Sequence, residues 1–249
     1  MKKKVLIFLT IISVSLGIVL IFRIKNENNQ KEIKKSMVSE ANVIKDDFQI
    51  DKVLYNEEGR DIHYSVYIPK NVDELDSVSM FITLPGWEGL YFQGVGVNLE
   101  YEDFAFTAKK INENMIILAT QLEDWGVQSA EGVISLTKYY QNIYRIDKTY
   151  NKDYFGGGET LSLVLNKNSN LYDGALMISS KWNGDYGFLV RQKLPIYFFI
   201  GKDDEFNSSN VQQIVIEKWQ ELLINTKYKP IDIHTPLWLW SRNGFKKII

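Results

Sequence analysis

From about Asp47 onward the chain alternates strand-like and helix-like stretches. Ile62–Ile68 (IHYSVYI) alternates apolar and polar side chains and stops at Pro69, as a half-exposed strand does. Ser79–Leu84 (SMFITL) and Met115–Ala119 (MIILA) are continuous apolar runs, the pattern of strands buried on both faces. Ala175–Ile178 and Pro195–Ile200 (PIYFFI) read the same way. Between them, Phe104–Asn112, Gln128–Tyr144, a segment opening at Thr160–Leu165, and Asn210–Leu223 carry apolar residues at helical spacing. The expected fold is α/β: a mainly parallel sheet with helices on both faces. Ligands of such sheets sit at the carboxyl ends of the strands, so the loops after strands are where chemistry is sought.

The amino-terminal stretch follows a different pattern. Lys2, Lys3 and Lys4 precede an uncharged run from Val5 to Phe22, closed by Arg23 and Lys25. Its length falls at the short end of a membrane span, roughly 17–25 residues. No small-x-small cleavage site follows it, although a cleaved signal is the alternative. The expected organisation is a signal anchor or signal peptide over 1–25, a polar linker over 26–46, and one domain over 47–249. The lysines before the run place the body outside the cytoplasm, as a single-pass membrane protein or, if the signal is cut, a secreted one.

Composition narrows the chemistry. The 249 residues contain no cysteine and two histidines, His63 and His234, which rules out disulfides, thiolate nucleophiles and histidine-rich metal sites. The net charge of −2 gives no basic footprint for nucleic acid. No cofactor motif and no metal site is expected. Asp203, Asp204 and Glu205 are oxygen donors, but adjacent carboxylates alone do not define a calcium site.

Three loops after buried strands carry unusual clusters. Leu84-Pro85-Gly86-Trp87-Glu88-Gly89 is glycine-rich, as a plain turn or an oxyanion loop would be. Gly156-Gly157-Gly158-Glu159-Thr160 opens a helix, with no Lys-Ser/Thr to make it a phosphate loop. Gly201-Lys202-Asp203-Asp204-Glu205-Phe206 puts a carboxylate after a late strand. A triad acid stands at such a place, but so does an ordinary helix cap.

With Asp124-Trp125-Gly126 and Ser179-Ser180-Lys181-Trp182-Asn183-Gly184, these motifs resemble a family of bacterial α/β-hydrolases. Its members are secreted or surface-attached, of the esterase and polymer-depolymerase type. The resemblance runs from about Ser79 to Leu223. It implies an α/β-hydrolase fold and acyl-transfer chemistry on a small-molecule ester or polymer. It also implies Asp204 as triad acid, His234 as the remaining candidate base, and Gly86, Trp87, Gly156 and Gly157 around an oxyanion hole.

The sequence departs from that pattern at the chemistry itself. In the family the elbow reads G-x-S-x-G; here it reads Asp153-Tyr154-Phe155-Gly156-Gly157, and Phe155 occupies the nucleophile position. Thr160 and Ser162 fall on the following helix. The strand before the elbow, Thr149-Tyr150-Asn151-Lys152-Asp153, is too polar for a central parallel strand and is expected to be missing or badly paired. The tail beyond Ile231 lacks the family's histidine loop and last helix, as a changed reading frame would produce. The expectation is a hydrolase relative with impaired chemistry. The alternatives are a non-catalytic ligand-binding protein of the cell surface and a decayed gene product with no selected activity.

Overall fold

The computed structural model describes residues 20, 23, 38–39, 43–56, 60–185, 194–199 and 204. The chain divides after Val38, and the sheet and its helices belong to the unit that begins at Ser39. Nearly all of the Val5–Phe22 run, the expected helix at Asn210–Leu223 and His234 lie outside the described residues. Among the described residues, no helix is long and apolar enough to cross a membrane.

The described strands form one sheet. They are β1 (Val43–Lys45), β2 (Phe48–Tyr55), β3 (Asp61–Tyr67), β4 (Val78–Thr83), β5 (Met115–Gln121), β6 (Ile146–Lys152), β7 (Gly174–Ile178) and β8 (Ile196–Phe199). They lie in the order β1-β2-β3-β5-β4-β6-β7-β8. The β1–β2, β2–β3 and β3–β5 pairs are antiparallel; β5–β4, β4–β6, β6–β7 and β7–β8 are parallel. β1 and β2 add to the strands expected from the sequence. Asp46 and Asp47, at φ 51° and 66°, close the hairpin between them with both turn residues left-handed, the geometry of a two-residue turn that follows the sheet's twist. β1 also precedes Asp47, the expected start of the body.

The helices are α1 (Val97–Tyr101), α2 (Phe104–Ile111), α3 (Val127–Ile143) and α4 (Gly157–Asn168). They cover both faces of the sheet. Phe104, Ala105 and Ala108 of α2 pack with Phe81, Met115, Ile117 and Ala119 in one buried cluster. The opposite face takes α3: the hydroxyl of Tyr140 donates to that of Tyr64 at 3.2 Å, and the Gln141 amide donates to the Thr149 hydroxyl at 3.0 Å. α4 packs beside α3.

The expected defect in the central strand is corrected by β6. It pairs in register with β4 on one side, Phe81 opposite Tyr150 and Thr83 opposite Lys152, and with β7 on the other. Most of its polar residues have partners, although the buried Asn151 amide makes no side-chain hydrogen bond to a described residue. Lys148, near the strand's exposed start, pairs with Asp173 at 2.8 Å, and Asp147 accepts from the Ser79 hydroxyl at 3.1 Å. Lys152 and Asp153 are wholly buried, and each has partners of its own. A parallel strand need not be apolar where every buried charge is met.

Candidate active site

Polar groups inside the fold lock the turn after β6 to its neighbours. Asp153 Oδ1 accepts from the Ile178 N–H at 3.0 Å and the Ser180 hydroxyl at 2.8 Å, joining β6 to the loop after β7. Burial pushes the Asp153 carboxyl up to about 7, although those two donors and Lys152 oppose the rise. On the other side of the turn, Lys152 Nζ lies 3.1 Å from Glu102 Oε2 and 3.3 Å from the Thr83 hydroxyl. Burial lowers the Lys152 pKa, and the Glu102 carboxylate acts against it. Glu102 Oε1 accepts from the Gly86 N–H at 2.6 Å. One buried carboxylate therefore ties the loop after β4 to the strand that feeds the elbow. Glu102 carries no signal in the sequence, and Lys152 and Asp153 look like defects there; their partners lie far along the chain, and no local pattern announces them.

A pH dependence follows. Because Asp153 holds its proton more tightly when folded, its contribution to stability is complete below the ordinary carboxylate pKa near 4 and is lost as pH rises towards 7. Thermal melts across that window should show wild-type stability falling relative to Asp153→Asn, by an amount on the order of a few kcal/mol. Parallel curves for the two proteins would show that Asp153 titrates normally.

The turn itself keeps the strained shape of an elbow. Phe155 has φ 48°, in the left-handed region that a bulky side chain enters only when its surroundings hold it there. The Phe155 N–H donates to the Ile178 carbonyl at 3.1 Å, and its carbonyl accepts from the Gly158 N–H at 3.1 Å. Gly156 has to be glycine, since a Cβ there would lie 2.2 Å from Trp125 ring atoms. Gly157 has a similar constraint: a Cβ would lie 2.7 Å from the Pro85 carbonyl oxygen. Trp125 is held in turn by its neighbours, because Asp124 Oδ1 accepts from the Gly126 N–H and the Ser129 hydroxyl, both at 2.8 Å.

Above the turn opens a cleft of about 780 Å³, bordered by Trp87, Tyr101, Trp125, Tyr154, Phe155 and Gly156, with Glu88, Glu102, Glu159 and Lys181 also on its walls. Trp87, Phe155 and Gly156, singled out in the sequence, meet here; Gly86 and Gly157 lie just behind them. Of the four backbone N–H groups around the expected oxyanion hole, Gly86's goes to Glu102 and Gly157's to the Tyr154 carbonyl. Those of Trp87 and Gly156 make no hydrogen bond to another described residue. Asp204 is partly buried beyond β8. Burial, with the charges of Glu102, Glu88 and Asp204 behind it, pushes the Tyr154 phenol up to about 12. His63, the other histidine, stacks on Tyr91 at 4.0 Å and lies 3.6 Å from Asp51, in a different part of the surface. Among the described residues, no group of three or more His, Asp or Glu side chains is arranged to hold a metal.

Among the described residues, no serine or threonine borders the cleft. Thr160 is fully buried, as is Ser162, whose hydroxyl donates to the Gly158 carbonyl at 2.6 Å and accepts from the Asn183 N–H at 3.1 Å. Neither stands where a reacting carbonyl in the cleft could be attacked.

No protein-family model and no curated protein matches the sequence. Solved structures do match the fold. A thermostable esterase aligns with a TM-score of 0.60 at 20% identity, over 71% of this chain and 52% of its own. Est1E from Butyrivibrio proteoclasticus aligns at 0.56 and 12% identity, over 79% of this chain and 96% of its own. FphF, a fluorophosphonate-binding serine hydrolase of Staphylococcus aureus, aligns at 0.57 and 12%, over 79% and 94%. This chain thus spans about half of the first of these and nearly all of the other two. The fold is that of the α/β-hydrolases, and its structural neighbours are esterases and serine hydrolases.

Proposed function

We propose that this chain is an α/β-hydrolase-fold protein that binds a small molecule or polymer segment in the cleft above the elbow and does not hydrolyse it through an acyl-enzyme. The observation that carries this reading is Phe155, a side chain with no nucleophilic atom at the left-handed turn where the nucleophile would stand. The burial of Thr160 and Ser162 supports it, because neither hydroxyl can substitute. Trp87 and Gly156 still offer backbone donors to a ligand oxygen, and the aromatic walls offer apolar area. The uncharged run behind Lys2–Lys4 supports a site carried outside the cytoplasm on a single-pass anchor.

A fluorophosphonate probe tests the reading directly. The full chain is expected to remain unlabelled and to show no burst with an activated ester. Labelling abolished by changing one serine or threonine would instead make it a working hydrolase.

A further inference from the structure

We propose that the cleft is a cage for an organic ammonium ion, a ligand class that rests on the non-hydrolytic binding reading above. Its aromatic rings stand at steep angles to one another. Trp87 and Trp125 lie 5.9 Å apart at 59°, and Tyr154 and Phe155 lie 4.6 Å apart at 84°. Sugar recognition favours open ring faces lined up as a platform. Trp87, Tyr101, Trp125, Tyr154 and Phe155 border the cleft at several orientations, and an aromatic face presented to a cation attracts it through its quadrupole.

The charge around the walls has the matching sign. Glu88, Glu102, Glu159 and Lys181 line the cleft. The Glu102 charge is met internally by Lys152, so among the described lining residues Glu88 and Glu159 outnumber Lys181 and the balance is negative. The protein already seats one cation by these means. Lys152 Nζ lies 3.5 Å from the ring centroid of Phe104 and 5.4 Å from that of Tyr154, with Glu102 alongside. Tyr154 also borders the cleft.

Choline and its uncharged carbon isostere, 3,3-dimethyl-1-butanol, separate charge from shape. Binding to the full chain is followed by tryptophan fluorescence and confirmed by calorimetry. Choline should bind at least about tenfold more tightly than the alcohol, in keeping with cation–π attraction in a partly desolvated site. Glu159→Gln should weaken choline by roughly five- to tenfold while leaving the alcohol nearly unchanged, and Trp87→Ala, which also removes apolar wall, should weaken choline more than the alcohol. Trp87 is 54% exposed, so its removal leaves the core intact, and the glutamine variant repeats the test without loss of ring area. Equal affinity for the two probes, or quenching by cellobiose without any response to choline, overturns the cage. Fluorophosphonate labelling of the parent chain would remove the non-hydrolytic reading, whereas the choline comparison would still decide the ligand class.

Discussion

Replacing Lys152 with methionine should destabilise the domain by about 3–5 kcal/mol, the usual result of leaving one member of a buried ion pair without the other. That is a large part of the ~5–15 kcal/mol typical of a folded domain. Methionine keeps most of the volume, so the loss would come from Glu102, left charged and buried with the Gly86 N–H as its remaining hydrogen-bond donor among the described residues. Adding Glu102→Gln should return much of the stability, because glutamine can still accept from Gly86 and carries no charge. Urea denaturation of the single and double variants measures the coupling. If the double variant is no more stable than Lys152→Met alone, the pair does not hold the strand.

Phe155→Ser should have the largest effect on chemistry. It places a hydroxyl on the left-handed turn, next to the unengaged N–H groups of Trp87 and Gly156. One preorganised donor of this kind is worth about 10²–10³ in rate. The variant should therefore react with a fluorophosphonate at least about 10²-fold faster than the parent. A folded variant that stays unreactive would mean that the turn no longer presents its side chain to those donors.

Most of the fold could be read from the sequence because buried parallel strands are continuous apolar runs, and SMFITL and MIILA are legible as such. PIYFFI does form the parallel strand β8, but Tyr197 is 52% exposed and the strand is not buried on both faces among the described residues. β6 was not, because its fitness depends on partners distant in sequence: Glu102 and Ser180 decide whether Lys152 and Asp153 are tolerable, and neither is near them in the chain. The β1–β2 hairpin escaped for a different reason. β2 is half-buried and its pairing with β3 shifts register between Gln49 and Lys52, which disturbs the apolar–polar alternation of a regular strand. At the site, the glycines and Phe155 could be found by motif spacing. Tyr101 and Glu102 could not, since only the closing of the sheet brings them to the cleft, and Lys181 stood in a motif without a role assigned to it.

The strand order has a consequence for how such a protein can change its trade. The loops leaving β4 and β6, adjacent strands at the centre of the sheet, depart towards helices on opposite faces: α1 and α2 on one, α4 on the other. A gap must open between two backbones that part in this way, whatever side chain stands at its floor. The cavity is thus inherited with the topology, independently of the catalyst. A chain with a phenyl ring at the turn therefore still has a concavity there, bordered by Trp87 and Gly156. Selection then has only the walls to adjust, one side chain at a time.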